Sequence, residues 1–413
     1  MYNSATSKRL LYTLFFTQSL FSAAQIAVFT LLAIVATRLS GTESAAGLPA
    51  STTTFAQALA AYPMAAIMAR FGRRLGLTAG YAVSALGGLV GVLAVISGTF
   101  PLLLLSAALL GTGRASAEQS RFAAGELFPA AERARMIGRI IFAGTIGAVA
   151  GPALVAPSGK LMELIGLHPD NGPWALAFVL LSLAALITLL LLRPDPMAIG
   201  RALADEEEQA REEPSPQQVR PLRDLLMLPT VQLGILAIVV SQTVMVVLMV
   251  MTPLHMDHLH HGRDTISMVI AAHTLGMFGL SALTGYLIDR FGRVPMLVVG
   301  ALILIAAALL APLSANQYIL AGALFLLGLG WNFGYVAGSS VLSDALQGAE
   351  RARVQGVNDS LVFFVAGFGS LSAGPLFASG GYAAVSMTGI ALTVLLIGLI
   401  VRLSRPRVVA GAV

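Results

Sequence analysis

The sequence has no cysteine, which excludes disulfides, thiolate metal sites and thiol nucleophiles together. Charge is scarce as well: Asp, Glu, Lys and Arg make up 11% of the 413 residues, against roughly a quarter in an ordinary soluble domain. A chain that is 57% hydrophobic, with a mean hydropathy of +0.83, cannot clothe a water-soluble surface. There is no Ser-His-Asp set, phosphate loop or hydrolytic zinc signature, so an enzyme is not expected. The apolar run after Lys8-Arg9 is too long for a secretory signal and reads as a retained first helix.

What the chain has is apolar runs of membrane length. One bilayer crossing takes about 20 residues. Assigned on that basis, helices fall near 10–37, 45–69, 76–98, 100–127, 137–157, 173–193, 227–253, 266–288, 294–313, 317–345, 353–379 and 382–403. Twelve crossings put both termini on one side. The connections on that side carry Arg70, Arg73, Arg74, Arg133, Arg135, Arg193, Arg201, Arg211, Arg220, Arg223, Arg290, Arg293, Arg351 and Arg353, with terminal Lys8, Arg9, Arg402, Arg405 and Arg407. The other side shows only Arg38, Lys160 and Arg263. Because cytoplasmic loops retain Lys and Arg, both ends are expected inside. The basic balance is thus a topology signal, and its scattered Arg clusters do not suit nucleic acid.

The hydrophobic pattern stops between residues 194 and 224, where Asp205-Glu206-Glu207-Glu208 and Glu212-Glu213-Pro214 mark a solvated, partly helical cytoplasmic tether. The sequence repeats itself on either side. Ala-Arg-Phe-Gly-Arg-Arg at 69–74 answers Asp-Arg-Phe-Gly-Arg-Val at 289–294. Ala-Glu-Arg-Ala-Arg occurs at 131–135 and at 349–353, followed by Gly138 and Gly356. Gly151-Pro152 has its counterpart in Gly374-Pro375. The expected organisation is an all-α membrane protein with a six-helix bundle over 1–193, a linker over 194–224 and a second, pseudo-symmetric bundle over 225–413.

Gly285-x-x-x-Asp289-Arg290-Phe291-Gly292-Arg293 resembles the signature loop of the major facilitator superfamily, and Gly147-x-x-x-Gly151-Pro152 resembles its fifth-helix motif. The resemblance covers essentially the whole chain and implies the twelve-helix fold of that superfamily. The first-half loop departs from the pattern, with Ala69 in the acidic position, so a carboxylate latch is expected on the second half only. There Asp289, with Arg290 and Arg293, would pair across the bundle seam in one conformation and release in another.

Ionisable and soft-ligand residues at membrane depth are where chemistry is sought, since polar groups in hydrocarbon are costly. Arg114, Glu118 and Arg121 follow one another at spacings of four and three on one helix face. They fit either an ion-pair network that steadies the bundle or a gate with Glu118 as a proton-linked group. A second set is Met245-x-x-x-Met249 in the seventh crossing and His273-x-x-x-Met277 in the eighth, each pair on one face and all four at similar depth in the outer half of the membrane. Between them lie Met251, His255, Met256, His258, His260 and His261. Five of the six His and six of the fifteen Met fall between 245 and 277, and hydrophobicity does not account for the His. Thioether plus imidazole is a soft to borderline donor set that selects copper(I) over calcium, magnesium or manganese. Met has no proton to lose, so it holds a monovalent ion without a new buried negative charge.

These two motifs, with the Met251-Thr-Pro-Leu-His-Met256 stretch between them, resemble the CcoA-type copper importers of the same superfamily. That resemblance implies a bacterial inner-membrane importer that supplies copper for haem-copper oxidase assembly, with Met245, Met249, His273 and Met277 as the metal residues. This chain departs from that family in lacking cysteine, which bears on any thiol-based reduction or hand-off. The expected carrier is a monomer in the lipid bilayer with no resident cofactor. It would collect copper at a mouth built from Met251, His255, Met256, His258, His260 and His261, and pass it to a cytoplasmic acceptor. Two other readings stay open. A proton-driven drug or metabolite antiporter would depend on Glu118 or Asp359 and line its cavity with Trp331 and Phe333. A copper-binding sensor or assembly factor would bind without transport.

Overall fold

The computed structural model describes residues 4–209, 220–346 and 348–404, and every regular element among them is helical. The first six crossings are α1 (Ser4–Ser40), α2 (Leu48–Phe71), α3 (Arg73–Ser97), α4 (Phe100–Ala117), α5 (Ala130–Ala153) and α6 (Gly172–Leu191). A linker helix, Pro196–Gln209, follows. Next come α7 (Pro229–His258), α8 in two pieces (Arg263–Phe278 and Ser281–Phe291), α9 (Arg293–Leu310) and α10 (Gln317–Ala345). The run Gly348–Leu403 leaves helical dihedrals at Gly380 and Gly381, where φ is −156° and 62°, and so divides into α11 (348–379) and α12 (382–403). Arg211, Glu212, Glu213, Pro214, Arg405 and Arg407 lie outside the described residues.

Nine helices among the described residues are long and apolar enough to cross a membrane, or ten when the bent pair in α8 counts as one span. The Gly380–Gly381 break divides one of those nine into two crossings. α2, at 24 residues, has the length but carries Thr52, Thr53, Thr54 and Gln57 in its N-terminal half. Each of those threonines returns its hydroxyl to the carbonyl four residues back, at 2.8 to 3.0 Å, so the polar groups are satisfied within the helix.

Two helices expected as continuous are broken. At Glu118–Gln119 the Gln119 N–H turns to the Ser116 carbonyl three residues back (2.9 Å), which separates α4 from the short helix Ser120–Gly125. In α8 the pieces bend by 41° around Gly279–Leu280, at a residue that resists bending poorly.

By its internal contacts the chain forms two compact units. One comprises Met1–Pro216, Val250–Ala271 and Ser370–Ala378, and the other Gln217–Met249, Ala272–Gly369 and Ser379–Val413. In the first, the Gly147-x-x-x-Gly151 motif acts by absence of side chain. A Cβ at Gly147 would meet the Ser19 carbonyl, and one at Gly151 the Ala23 carbonyl, so α5 lies directly on α1. Ser19 and Ser22 tie this contact by donating to the carbonyls of Ala143 (2.9 Å) and Gly144 (2.6 Å). Gly88 and Gly91 admit Phe178 and the fully buried Trp174 of α6 against α3 in the same way. In the second unit, Leu233, Ala237, Ile288, Leu297, Ala337, Val341, Leu396 and Ile400 form one buried cluster. Arg220 holds the Glu350 carboxylate through Nε (2.8 Å) and Nη2 (2.7 Å), and that carboxylate raises the guanidinium above its ordinary pKa.

Although Ala69 removes the usual acid, two other carboxylates serve the first-half loop. Glu126 accepts from Arg73 Nη2 at 2.6 Å and from Nε at 3.1 Å. Asp195, at the end of α6, accepts from the backbone N–H groups of Arg73 (3.1 Å) and Arg74 (2.9 Å), capping α3, and from Met197 (2.9 Å), starting the linker helix. Gly72, with φ of 90°, makes the sharp turn between α2 and α3 that presents those N–H groups. The tether of residues 194–224 therefore begins as a structural cap. Replacing Asp195 with Ala is expected to lower the melting temperature in detergent, by the loss of about 1 kcal/mol typical of a helix cap. An unchanged melting temperature would show that the cap does not hold α3.

Candidate functional site

Helix α10 serves as a ruler for the second unit. Its Trp331 donates from Nε1 to Gln242 Oε1 of α7 at 2.7 Å. On the helix surface Met245 and Met249 follow Gln242 at i+3 and i+7, on the same face. α10 decreases in number as α7 increases, with Gly338 beside Ile238 and Gly334 beside Ser241, so Gly328 and Leu324 are the corresponding positions, about 4.5 and 10.5 Å along the axis from Trp331. On α8, a Cβ at Gly328 would meet the Met277 backbone nitrogen and the His273 carbonyl, and the His273 ring bonds the Leu324 carbonyl. By helix rise Met245 falls within about one turn of the level of Met277, and Met249 within about one turn of that of His273. The glycines at 276 and 328 bring α8 and α10 to backbone contact, a spacing neither would allow with a side chain.

His273 carries the sharpest chemistry. Its side chain is buried, and Nδ1 lies 2.9 Å from the Leu324 carbonyl oxygen. A carbonyl only accepts, so Nδ1 holds the proton and Nε2 is left with a bare lone pair. Nε2 is buried and has no hydrogen-bond partner among the described residues. An orphaned acceptor of this kind costs roughly 1–3 kcal/mol, and a metal-ligating histidine is oriented by the same N–H to carbonyl bond. Met245 and Met249 are also buried, while Met277 is half-buried.

Beneath these two levels is an aromatic and amide layer that sequence reasoning only partly named. The Trp331 ring meets Phe278 edge-on with centroids 5.8 Å apart and stacks on Tyr335 at 5.1 Å. Asn332 donates from Nδ2 to the Met277 carbonyl (2.7 Å) and to Ser281 Oγ (2.9 Å), across the bend of α8. Phe333, expected to line a cavity, is buried with its Cβ beside Gly300 of α9. Gln242 and Asn332 carried no motif; their only signal was an amide inside an apolar helix.

The mouth residues divide by burial. Met251 and Met256 are fully buried, His255 is half-buried, and His258 and His260 are exposed, with His261 intermediate. His258 pairs with Glu43 at 3.4 Å.

Of the gating set, Arg114 and Glu118 form a long pair (3.9 Å) with both side chains well exposed, a geometry worth little in stability. Arg121 lies beyond the break in α4, with its guanidinium 4.9 Å over the Phe122 ring. Asp289 is exposed and makes no ion pair among the described residues. Arg293 pairs instead with Asp344 at 2.5 Å, and Arg290 donates to Tyr286 Oη at 2.9 Å.

The sequence profile of the Major Facilitator Superfamily matches residues 14–256 and 233–412. An uncharacterized MFS-type transporter, YddS of Bacillus subtilis (strain 168), is 33% identical over 397 residues, covering 95% of this chain and 90% of its own. The riboflavin transporter RfnT of Brucella anthropi is 29% identical over 408 residues, 98% of each chain. Among solved structures, a D-xylose-proton symporter superposes with a TM-score of 0.71 at 18% identity, over 95% of this chain and 97% of that one.

With Trp174 replaced by Phe, Trp331 becomes the sole indole. Adding Gln242→Ala is then expected to shift its fluorescence maximum, because the indole N–H loses its partner. An emission spectrum indifferent to Gln242 would contradict the bond.

Proposed function

The chain belongs to the major facilitator superfamily and is a membrane transporter; from that premise we propose that it imports copper, as copper(I), across the bacterial inner membrane. The observation that carries the reading is the buried, unpartnered Nε2 of His273, with Met277 one turn further along the same face of α8 and the buried Met245 and Met249 on α7. Copper(I) takes thioether and neutral imidazole ligands, and two or three of them at a time hold an ion that must also leave.

In this reading the histidines of the mouth, exposed His258 and His260 with half-buried His261, gather the ion, and the four-residue set holds it midway. Alternating access then releases it toward an acceptor on the side of the two termini, for cuproenzyme assembly such as that of haem-copper oxidases. The two Met pairs supply no charge, so the cavity need not bury a new anion beside the ion. Glu118, exposed beside Arg114, is the group through which protons would enter the cycle.

A second reading is favoured by a separate observation. The Trp331–Tyr335 stack with Phe278, flanked by Gln242, is a platform for a planar, hydrogen-bonding organic solute. The relative named as a riboflavin transporter points to the same class of cargo.

Uptake of radioactive copper and of riboflavin in cells with and without the protein separates the two. At equal membrane abundance, His273→Ala, Met245→Ala, Met249→Ala and Met277→Ala are expected to lower copper uptake at least about tenfold, a difference of ~1.4 kcal/mol. Trp331→Ala should leave most of it. If the protein adds no copper uptake over empty cells, and adds riboflavin uptake that Trp331→Ala abolishes, the copper reading is wrong and the second stands. Copper bound by sealed vesicles without entering their lumen would instead identify a sensor or assembly factor.

A further inference from the structure

The side of the chain poorest in basic residues carries a buried ion cluster that no motif announced. Asp170, in the turn between α5 and α6, has a side chain only 2% exposed. Its carboxylate is gripped from two directions, by Arg38 at the end of α1 through one oxygen and by Arg263 at the start of α8 through the other. His168 completes the surroundings: its Nδ1 accepts from the Asp170 N–H at 3.2 Å and stands 3.6 Å from the carboxylate. Arg38 and Asp170 belong to the first sequence repeat and Arg263 to the second, yet all three lie within the first compact unit.

The same unit holds other contacts of this kind. Glu43 of the α1–α2 connection pairs with His258 at the end of α7, and the His258 ring rests on Phe377 at a centroid distance of 5.5 Å. At the start of α2, a Cβ on Gly47 would run into the Ser370 carbonyl. A Cβ on Gly374 of α11 would run into the Ser44 carbonyl. Segments from the two repeats therefore meet here through bare backbone, with Asp170 and Glu43 each paired to a residue of the second repeat.

We propose that Asp170 is the clamp that holds this face of the transporter shut, and that its bond to Arg263 must break before the face opens to the cargo. Arg38 has a different part: it comes from the same repeat as Asp170 and keeps the carboxylate aimed while Arg263 leaves. Removing one partner of a buried ion pair leaves the other uncompensated. The Asp170–Arg263 bond joins residues 93 positions apart, one from each repeat. The proposal concerns the transport cycle and holds whichever cargo is carried.

The absence of cysteine makes the test clean. Ser51 is buried one turn after Gly47, on the face of α2 that meets residue 370. In cells expressing the full chain with Ser51→Cys, a membrane-impermeant maleimide is expected to label slowly. Asp170→Asn and Arg263→Gln should each raise the labelling rate about tenfold, a shift of ~1.4 kcal/mol toward the open face. The double variant should label no faster than either single one, because both remove the same bond. Arg263→Lys should restore the slow rate. If Asp170→Asn does not reach the membrane, Arg263→Gln and Arg263→Lys decide alone. Equal labelling in all variants, with only their melting temperatures lowered, would reduce Asp170 to a local brace and overturn the proposal.

Discussion

Close approach of helix backbones through glycine is the constraint on which the rest of this structure depends. In lipid there is no hydrophobic gain from joining two apolar helices, so association rests on dispersion at short range and on hydrogen bonds that cross the contact. The chain meets this with Gly147 and Gly151 of α5 against α1, with Gly276 of α8 and Gly328 of α10 against each other, and with Gly334 and Gly338 of α10 against α7. At each place the approach brings polar groups within reach of carbonyls on the neighbouring helix. Ser19 and Ser22 find those of Ala143 and Gly144, and His273 finds that of Leu324. The position of the His273 imidazole is thus a consequence of a missing side chain at Gly328.

That packing is also what makes the orphaned Nε2 informative. Polar atoms drawn into a close helix contact find partners there, as Asn332 Nδ2 does in the Met277 carbonyl and Ser281 Oγ, while its Oδ1 has none among the described residues. His273 spends one nitrogen on the contact and keeps the other as a buried lone pair. Soft thioethers occur at corresponding levels of α7 and α8, to within about one turn, whereas the indole and amides sit one level lower. The site therefore has an upper layer suited to a soft cation and a lower layer suited to a flat polar ring, and the two cargo readings differ in which layer bears the load.

Much of the fold was legible in the sequence because membrane length and charge bias act locally. The apolar runs, the Gly-Pro motifs and the repeated Arg-rich loops located the crossings, α10 over 317–345 included. The breaks at Glu118–Gln119 and Gly279–Leu280 were not foreseen, since a hydrophobic run reads the same with or without one turn of altered backbone, whereas the break at Gly380–Gly381 falls where the apolar runs 353–379 and 382–403 were already separate. Asp195 and Asp170 were missed for another reason. Each is an unremarkable acid in a polar connection whose partners, Arg73 and Arg74 or Arg38 and Arg263, are far away in sequence. Only folding brings a carboxylate and a distant N–H or guanidinium together. For the candidate site, spacing put Met245 with Met249 and His273 with Met277, but it did not give the tautomer of His273, which depends on the Leu324 carbonyl of another helix.

The central claim is that Nε2 of His273, together with thioethers of α7 and α8, is a ligand for copper(I). X-ray absorption of the purified full-length protein loaded with one equivalent of copper(I) addresses it most directly. The account predicts sulfur scatterers and a single imidazole in the first coordination shell, with the imidazole signature absent in His273→Ala and the sulfur contribution reduced in Met249→Ala. A first shell that is unchanged by His273→Ala, or failure of the native protein to retain copper(I), would contradict it.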